Sequence, residues 1–211
     1  MVLAALGDIH ANLAALRAVL AEITDAGIRT VVNTGDCVVG APWPNEVIDC
    51  VCEAKLITVQ GLMDRYTAAF QKKRARLRKG HPEIFEAIAW THAHLRSEHL
   101  EFLARLPKMR TFTLDGIAVV LCHGTTSSQS DALREDDDVN RFRRQRERAC
   151  AQLVVCGQTH QPFARWIEDT LFVNPGAVGI SSDGSGIASY AVIDTEQAPW
   201  QTTFRSVAYV S

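Results

Sequence analysis

The chain has no apolar run approaching the ~18 residues that a membrane-spanning helix needs. Its 211 residues also contain no internal repeat, no low-complexity tract and no Pro/Gly/Ser linker. Without a linker, one well-cored domain over residues 1–211 is the expectation. The six cysteines, at 37, 50, 52, 122, 150 and 156, form no CxxC pair and no disulfide-like framework. That excludes a stapled secreted scaffold and points to buried, reduced thiols in a cytoplasmic protein. The opening MVLAALGDIH is apolar but has no basic lead, and Asp8 and His10 break it too early for a secretory signal. A dominant charge is lacking too: 22 Lys+Arg against 24 Asp+Glu leave a net charge of −2. Bulk coating of nucleic acid is therefore not expected.

What is present alternates. Val2–Leu6 is a short apolar run, and 12–26 carries leucines, alanines and Ile23 at helical spacing before Gly27. Residues 30–34 read as a strand, 45–53 as a helix and 56–60 as a third strand, which predicts parallel strands with crossover helices. Residues 61–65 read as a loop. From about 66 to 106 the pattern is wholly helical, an excursion from the alternation. Asp115–Gly116 then joins two strand-like runs, 109–114 and 117–122, as a tight hairpin. A charged helix is expected over 137–150, and short strands at 152–156, 163–167, 170–173, 189–194 and 202–208.

Chemistry-bearing residues follow the predicted strands. Asp8-Ile9-His10 comes after the first, Asp36 after the second, His123-Gly124 after the hairpin, and Gln158-Thr159-His160 after the strand at 152–156. Ligands of open α/β sheets bind at the carboxyl ends of strands. Two aspartates and three histidines thus converge on one region. Aspartate with imidazole is a donor set for zinc, manganese or iron, and alternate residues such as Asp8 and His10 project to one side of an extended segment. The histidines at 81, 92, 94 and 99 fall in the helical stretch and read as ordinary helix residues.

The order GDIH (7–10), GD (35–36), CHG (122–124) and GQTH (157–160) resembles the calcineurin-like metallophosphoesterase superfamily, in its small bacterial phosphodiesterase branch. The flanking DIHANLAAL, GDCVVGAPWPNEVID, QTHQPFARW, LFVNPGAVG and ASYAVID resemble it too. The resemblance implies an α/β fold, a four-layer α/β/β/α sandwich of two mixed sheets with a helical excursion. It implies a divalent metal (manganese, iron, zinc or nickel) and a small phosphorylated substrate, such as a nucleotide or dinucleoside polyphosphate. Hydrolysis would proceed by attack of a metal-bound hydroxide. Carried over by position, Asp8, His10, Asp36 and His160 hold one metal, and Asp36 bridges to a second that also takes His123. Asp36, His123 and Asp64 are then the residues at the reaction itself.

The departures cluster around the second metal. Where the family reads GN(H/C)D, this chain reads GLMD, with Leu62 and Met63 at the two central positions. Where the family reads GHxH, Gln158 replaces a histidine. A glutamine carbonyl ligates hard cations but is weaker than imidazole for transition metals, and leucine cannot ligate. Three outcomes are open: an esterase whose second metal is weak, a slower one-metal enzyme, or a regulatory protein that binds metal or a phosphorylated ligand without turnover. A homo-oligomer is equally open.

Four further features are judged on residue type. The basic run QKKRARLRK (71–79) reads as a solvated helix face, with contact to a polyphosphate or nucleotide as the lesser alternative. The acid-then-basic 134–149 reads as a surface helix matching the helix dipole, with phosphate binding as its lesser alternative. Asn12 precedes a helix, where it either caps the first turn or faces a phosphate, capping being the ordinary role. Trp43, Phe70 and Trp90 read as packing residues. Asn174-Pro175-Gly176 reads as a turn under the site.

Overall fold

Alternate residues of the first strand face two different cores. In a computed structural model, which describes residues 1–180, 186–196 and 198–210, β1 (Val2–Leu6) sends Leu3 and Ala5 into one apolar cluster and Ala4 and Leu6 into another. The chain then runs through α1 (Leu13–Asp25), β2 (Thr30–Asn33), α2 (Pro44–Glu53) and β3 (Ile57–Thr58). Four consecutive helices follow: α3 (Leu62–Ala68), α4 (Phe70–Gly80), α5 (Pro82–His94) and α6 (Ser97–Arg105). The second half comprises β4 (Met109–Leu114), β5 (Ile117–Cys122), α7 (Val139–Ala149), β6 (Leu153–Val155), β7 (Phe163–Ile167), β8 (Thr170–Asn174), β9 (Ile187–Asp194) and β10 (Gln201–Ala208).

Two five-stranded sheets result, ordered β10-β9-β1-β2-β3 and β4-β5-β6-β8-β7. Each is mixed. β1 lies parallel to β2 and antiparallel to β9, while β6 lies parallel to both β5 and β8. Leu3, Ala5, Val32, Ala191 and Ile193 of the first sheet meet Val119, Leu121, Leu153, Val155, Leu171 and Val173 of the second in a dry interior. The opposite faces carry the helices. Ala4 and Leu6 pack with Leu16, Val19 and Ile23 of α1 and Val47, Ile48 and Val51 of α2. On the other side, Phe142 of α7 meets Phe172 edge-on at 5.2 Å between ring centroids. This is the expected α/β/β/α layering, and it follows from central strands buried on both faces, whose alternate residues enter different cores.

Local chemistry explains the boundaries. The Asn12 side chain accepts from the Ala15 N–H at 3.1 Å and starts α1. Asp115 and Gly116 both take positive φ (47° and 82°), as a two-residue hairpin turn requires. Of the thiols, Cys37, Cys122 and Cys156 are buried as expected, but Cys52 and Cys150 are exposed and Cys50 is half-buried. The last two depart from the apolar-run expectation because each sits at a helix end. Among the described residues no helix is long and apolar enough to cross a membrane.

The clearest departure is at 61–65, expected as loop but helical from Leu62. Gly61 opens the helix. The Asp64 carboxylate reaches back to the Gly61 N–H at 2.9 Å, satisfying a donor that the first helical turn would leave orphaned. The same carboxylate accepts from the N–H groups of Cys37 (2.9 Å) and Val38 (3.3 Å), and so ties α3 to the loop after β2. Because Asp64 is fully buried and accepts three N–H groups, Asp64→Ala is expected to cost about 3 kcal/mol of stability. Chemical denaturation checks this; a loss near zero would remove Asp64 from its bracing role.

Candidate metal centre

The loops at the carboxyl ends of β1, β2, β5 and β6 meet over the sandwich interior. Five polar residues there hold backbones that side-chain-bearing residues rarely adopt: Asp8 (φ 51°), His10 (50°), Asp36 (53°), Gln158 (73°) and His160 (59°). Each costs roughly 1–3 kcal/mol, and such strain persists only where surrounding contacts over-determine it. Here they do. Asp8 N–H donates to Gly35 O and His10 N–H to Asp36 O, both at 2.9 Å, while Gly157 N–H donates to His123 O at 2.6 Å. Gly61 cannot be replaced without a clash, since a Cβ there would overlap the backbone and carboxylate of Asp36.

Two groups of donors form, and the buried Asp8 belongs to both. Asp8, His10 and His160 offer ligand atoms within 4.8 Å of one another, and so do Asp8, Asp36 and His123. In the first group, His10 Nε2 lies 3.2 Å from His160 Nε2, which lies 3.4 Å from Asp8 Oδ1. Ligands 2.0–2.1 Å from a tetrahedral metal stand about 3.3 Å apart. The spacing is therefore that of side chains sharing one cation.

The imidazoles are pre-set for it. His10 Nδ1 donates to Val39 O at 2.8 Å and His123 Nδ1 to Thr34 O at 2.9 Å. A carbonyl can only accept, so each Nδ1 carries the proton and each Nε2 is turned toward the centre. Asp8 Oδ1 and His123 Nε2 are fully buried with no hydrogen-bond partner. The 3.3 Å approach of His123 Nε2 to Asp36 Oδ2 is a charge contact without hydrogen-bond alignment. Two orphaned donor atoms in one buried cluster are what a bound cation would satisfy. Asp8, His10 and His160 would hold one such metal, with Asp36 and His123 available to a second.

Charge compensation sets the protonation. Burial pushes the Asp36 carboxyl up, but the His123 charge, with help from His10 and the Met63 N–H, brings it down to about 2. Burial lowers His123, yet Asp36 foremost, then Asp8 and Asp64, lift it to about 9. His160 is pulled down by partial burial and raised on balance by Asp8. Burial and the Asp36 charge raise Asp64 to about 7 against the pull of its N–H partners.

Several expected participants play other parts. Asp64, placed at the reaction by resemblance, spends its carboxylate on backbone N–H groups and acts as a brace. Asn12, weighed as a phosphate contact, is fully used: its amide also donates to Gly179 O (3.2 Å) and Tyr209 Oη (3.0 Å). Gln158 meets the site through its backbone, donating N–H to Asp8 Oδ2 at 3.1 Å. Its side chain has no hydrogen bond among the described residues. Leu62 and Met63 pack into the helical layer, and Met63 contributes only its N–H, to Asp36 Oδ1 at 2.7 Å. Trp43 and Trp90 are exposed, whereas Phe70 packs as expected. Asn174 takes its expected turn, accepting from Gly176 N–H and donating to Gly157 O. Sequence reasoning missed Val39, Thr34 and Gln129. The first two act through carbonyls, which leave no side-chain signal. Gln129 bridges by amide to Gln60 O at 2.6 Å, a contact 69 residues away in the chain.

Comparison with known proteins gives the family and the fold. Residues 1–198 match the model of the calcineurin-like phosphoesterase superfamily domain. The chain belongs to that superfamily. It is 29% identical to an uncharacterized protein of Methanocaldococcus jannaschii over 211 residues, covering 91% of this chain and 82% of the relative. A crystal structure of a metallophosphoesterase from Sphaerobacter thermophilus is 28% identical, with a TM-score of 0.77, covering 100% of this chain and 89% of that one. A hypothetical protein from Pyrococcus horikoshii OT3 shares the fold at a TM-score of 0.88 and 19% identity, covering 100% and 89%.

Proton competition gives a direct check. A metal must displace the proton that His123 carries below about pH 9. The affinity for the second metal, the one His123 would hold, is therefore expected to fall about tenfold for each pH unit below that point, measured by competition with a chromophoric chelator once the first position is filled. A pH-independent second affinity between 7 and 9 would exclude His123 from the ligand set. Without metal the sign reverses. The raised His123 value stabilises the fold below pH 6.5, and that contribution fades as pH rises through about 9.

Proposed function

We propose that the chain hydrolyses a phosphomonoester or phosphodiester at a centre with one well-made metal position and a weakened second. The observation that carries this is the pair of overlapping donor groups sharing buried Asp8, with Asp8 Oδ1 and His123 Nε2 left without partners. A bound divalent metal supplies an activated water and neutralises charge on the phosphoryl oxygens. The chain supplies the rest. Asp8, His10 and His160 form the stronger position. Asp8, Asp36 and His123 form the weaker one, with Gln158 standing where the resemblance puts a further ligand. Asp64 and the Met63 N–H hold Asp36 in place.

His160→Ala removes one of three donors from the stronger position. Losing an outer-sphere partner alone costs 10–100-fold, so kcat/KM for bis-p-nitrophenyl phosphate with added manganese is expected to fall by at least about 100-fold. Retained turnover in that variant would move the chemistry elsewhere.

A second function is favoured by Leu62 and Met63 facing the helical layer: a regulatory protein that binds metal or a phosphorylated ligand without turnover. Stoichiometric metal with no turnover of any phosphoester would establish it. Under the esterase proposal, Gln158→His raises bound metal from near one to near two per chain, read by elemental analysis. A count that stays near one would take Gln158 out of the second position.

A further inference from the structure

Arg65, two residues along α3 from Met63, lines a cavity of about 340 Å³ together with Tyr66, Lys73, Arg76 and His81 among others. Its charge is uncompensated. Helix α4 carries Lys72, Lys73, Arg74, Arg76, Arg78 and Lys79 with no acid between Phe70 and Gly80. Among the described residues none of these six, nor Arg65, has an ion-pair partner. Helix α7 is handled differently. There Arg141 pairs with Asp131 and Asp137, Arg143 with Glu168, and Arg146 with Glu168 and Asp169. Like charges three and four residues apart destabilise a helix, and on α4 only Arg78, over the Phe85 ring at 5.6 Å, has a side-chain partner for its charge among the described residues.

The cavity is coupled to the catalytic end of the fold. Arg65 Nη1 donates to Gln129 Oε1 at 3.1 Å, and the Gln129 amide donates to Gln60 O and Gly61 O. Gly61 opens the helix whose Met63 N–H holds Asp36. Arg65 is thereby fixed between the loop after His123 and the start of α3. Its Nε is buried without a partner, while Nη2 has no bond and remains accessible. The Tyr66 hydroxyl meets His81 Nε2 at 3.0 Å and forms the wall behind it. One acid stands at the rim, Glu83, 3.7 Å from His81.

We propose that this cavity binds a second phosphate of the substrate, so that the substrate class is a small ester carrying a further terminal phosphate or polyphosphate group. This rests on the phosphoesterase function proposed above. Guanidinium and ammonium groups around one cavity bind phosphate oxygens through charge-assisted hydrogen bonds. A simple phosphodiester leaves them unused, which makes the cavity a source of discrimination as well as affinity.

Calorimetric titration of the full chain with inorganic tripolyphosphate and with orthophosphate, in excess magnesium, tests this. Tripolyphosphate is expected to bind at least tenfold more tightly than orthophosphate. Lys73→Ala/Arg76→Ala is expected to weaken tripolyphosphate at least tenfold, and both positions are exposed, so the fold tolerates the change. Lys72→Ala/Lys79→Ala, on the same helix but outside the cavity, is expected to change it less than threefold. Equal loss in both pairs would show a diffuse field and overturn the site, as would no loss in the lining pair. A single-stranded oligonucleotide binding more tightly than tripolyphosphate through Lys73 and Arg76 would overturn the small-molecule class. Turnover of bis-p-nitrophenyl phosphate separates the two proposals. No turnover with Lys73- and Arg76-dependent binding intact supports the cavity and sinks the esterase. Turnover without such binding sinks the cavity alone.

Discussion

Three carboxylates, those of Asp8, Asp36 and Asp64, are buried together where the two sheets end, and the rest of the site is arranged around their repulsion. Each finds a different remedy. Asp36 lies against His123 and accepts the Met63 N–H. Asp64 is surrounded by backbone N–H groups from two loops. Asp8 takes the Gln158 N–H on one oxygen and keeps the other free. That unequal division leaves Asp8 Oδ1 without a partner, while both oxygens of Asp64 are engaged by N–H groups.

The left-handed backbones belong to the same economy. Asp8, His10, Asp36, Gln158 and His160 are bent so that side chains from separate strands reach one point, and N–H groups are freed to meet carboxylates. The sandwich beneath makes this tolerable. Its interior of leucines, valines, alanines and isoleucine is fully buried, so the strain is held by many contacts that do not take part in the chemistry. Here a stable core and a strained rim are two aspects of one design.

Most of the architecture was legible because it follows from short apolar runs alternating with helical periods and from strand-end glycines. The helix α1 cap, the Asp115–Gly116 hairpin and the positions of Asp8, His10, Asp36, His123 and His160 all carry local signals. What escaped was written in long-range hydrogen bonds. Residues 61–65 looked like a loop because glycine is an ordinary turn residue, and nothing local shows that Asp64 returns to cap it. The same bond ties the Asp64 carboxylate to the start of α3. Val39 and Thr34 orient histidines through carbonyls that any residue could supply. The basic run of α4 is the solvated face its composition suggests, and its lack of counter-charges is visible only once the acids around it are placed.

Asp8, His10 and Asp36 follow strands of one sheet, and His123 and His160 follow strands of the other. A group bound by all of them is therefore also a rivet between the two halves of the sandwich. It would close a loop of some 150 residues between the first strand and the GQTH turn, with only slowly growing entropic cost for that length. Occupancy then governs how readily the sheets part as well as whether a phosphoester is attacked. Metal supply in the cell would accordingly influence the lifetime of the folded chain.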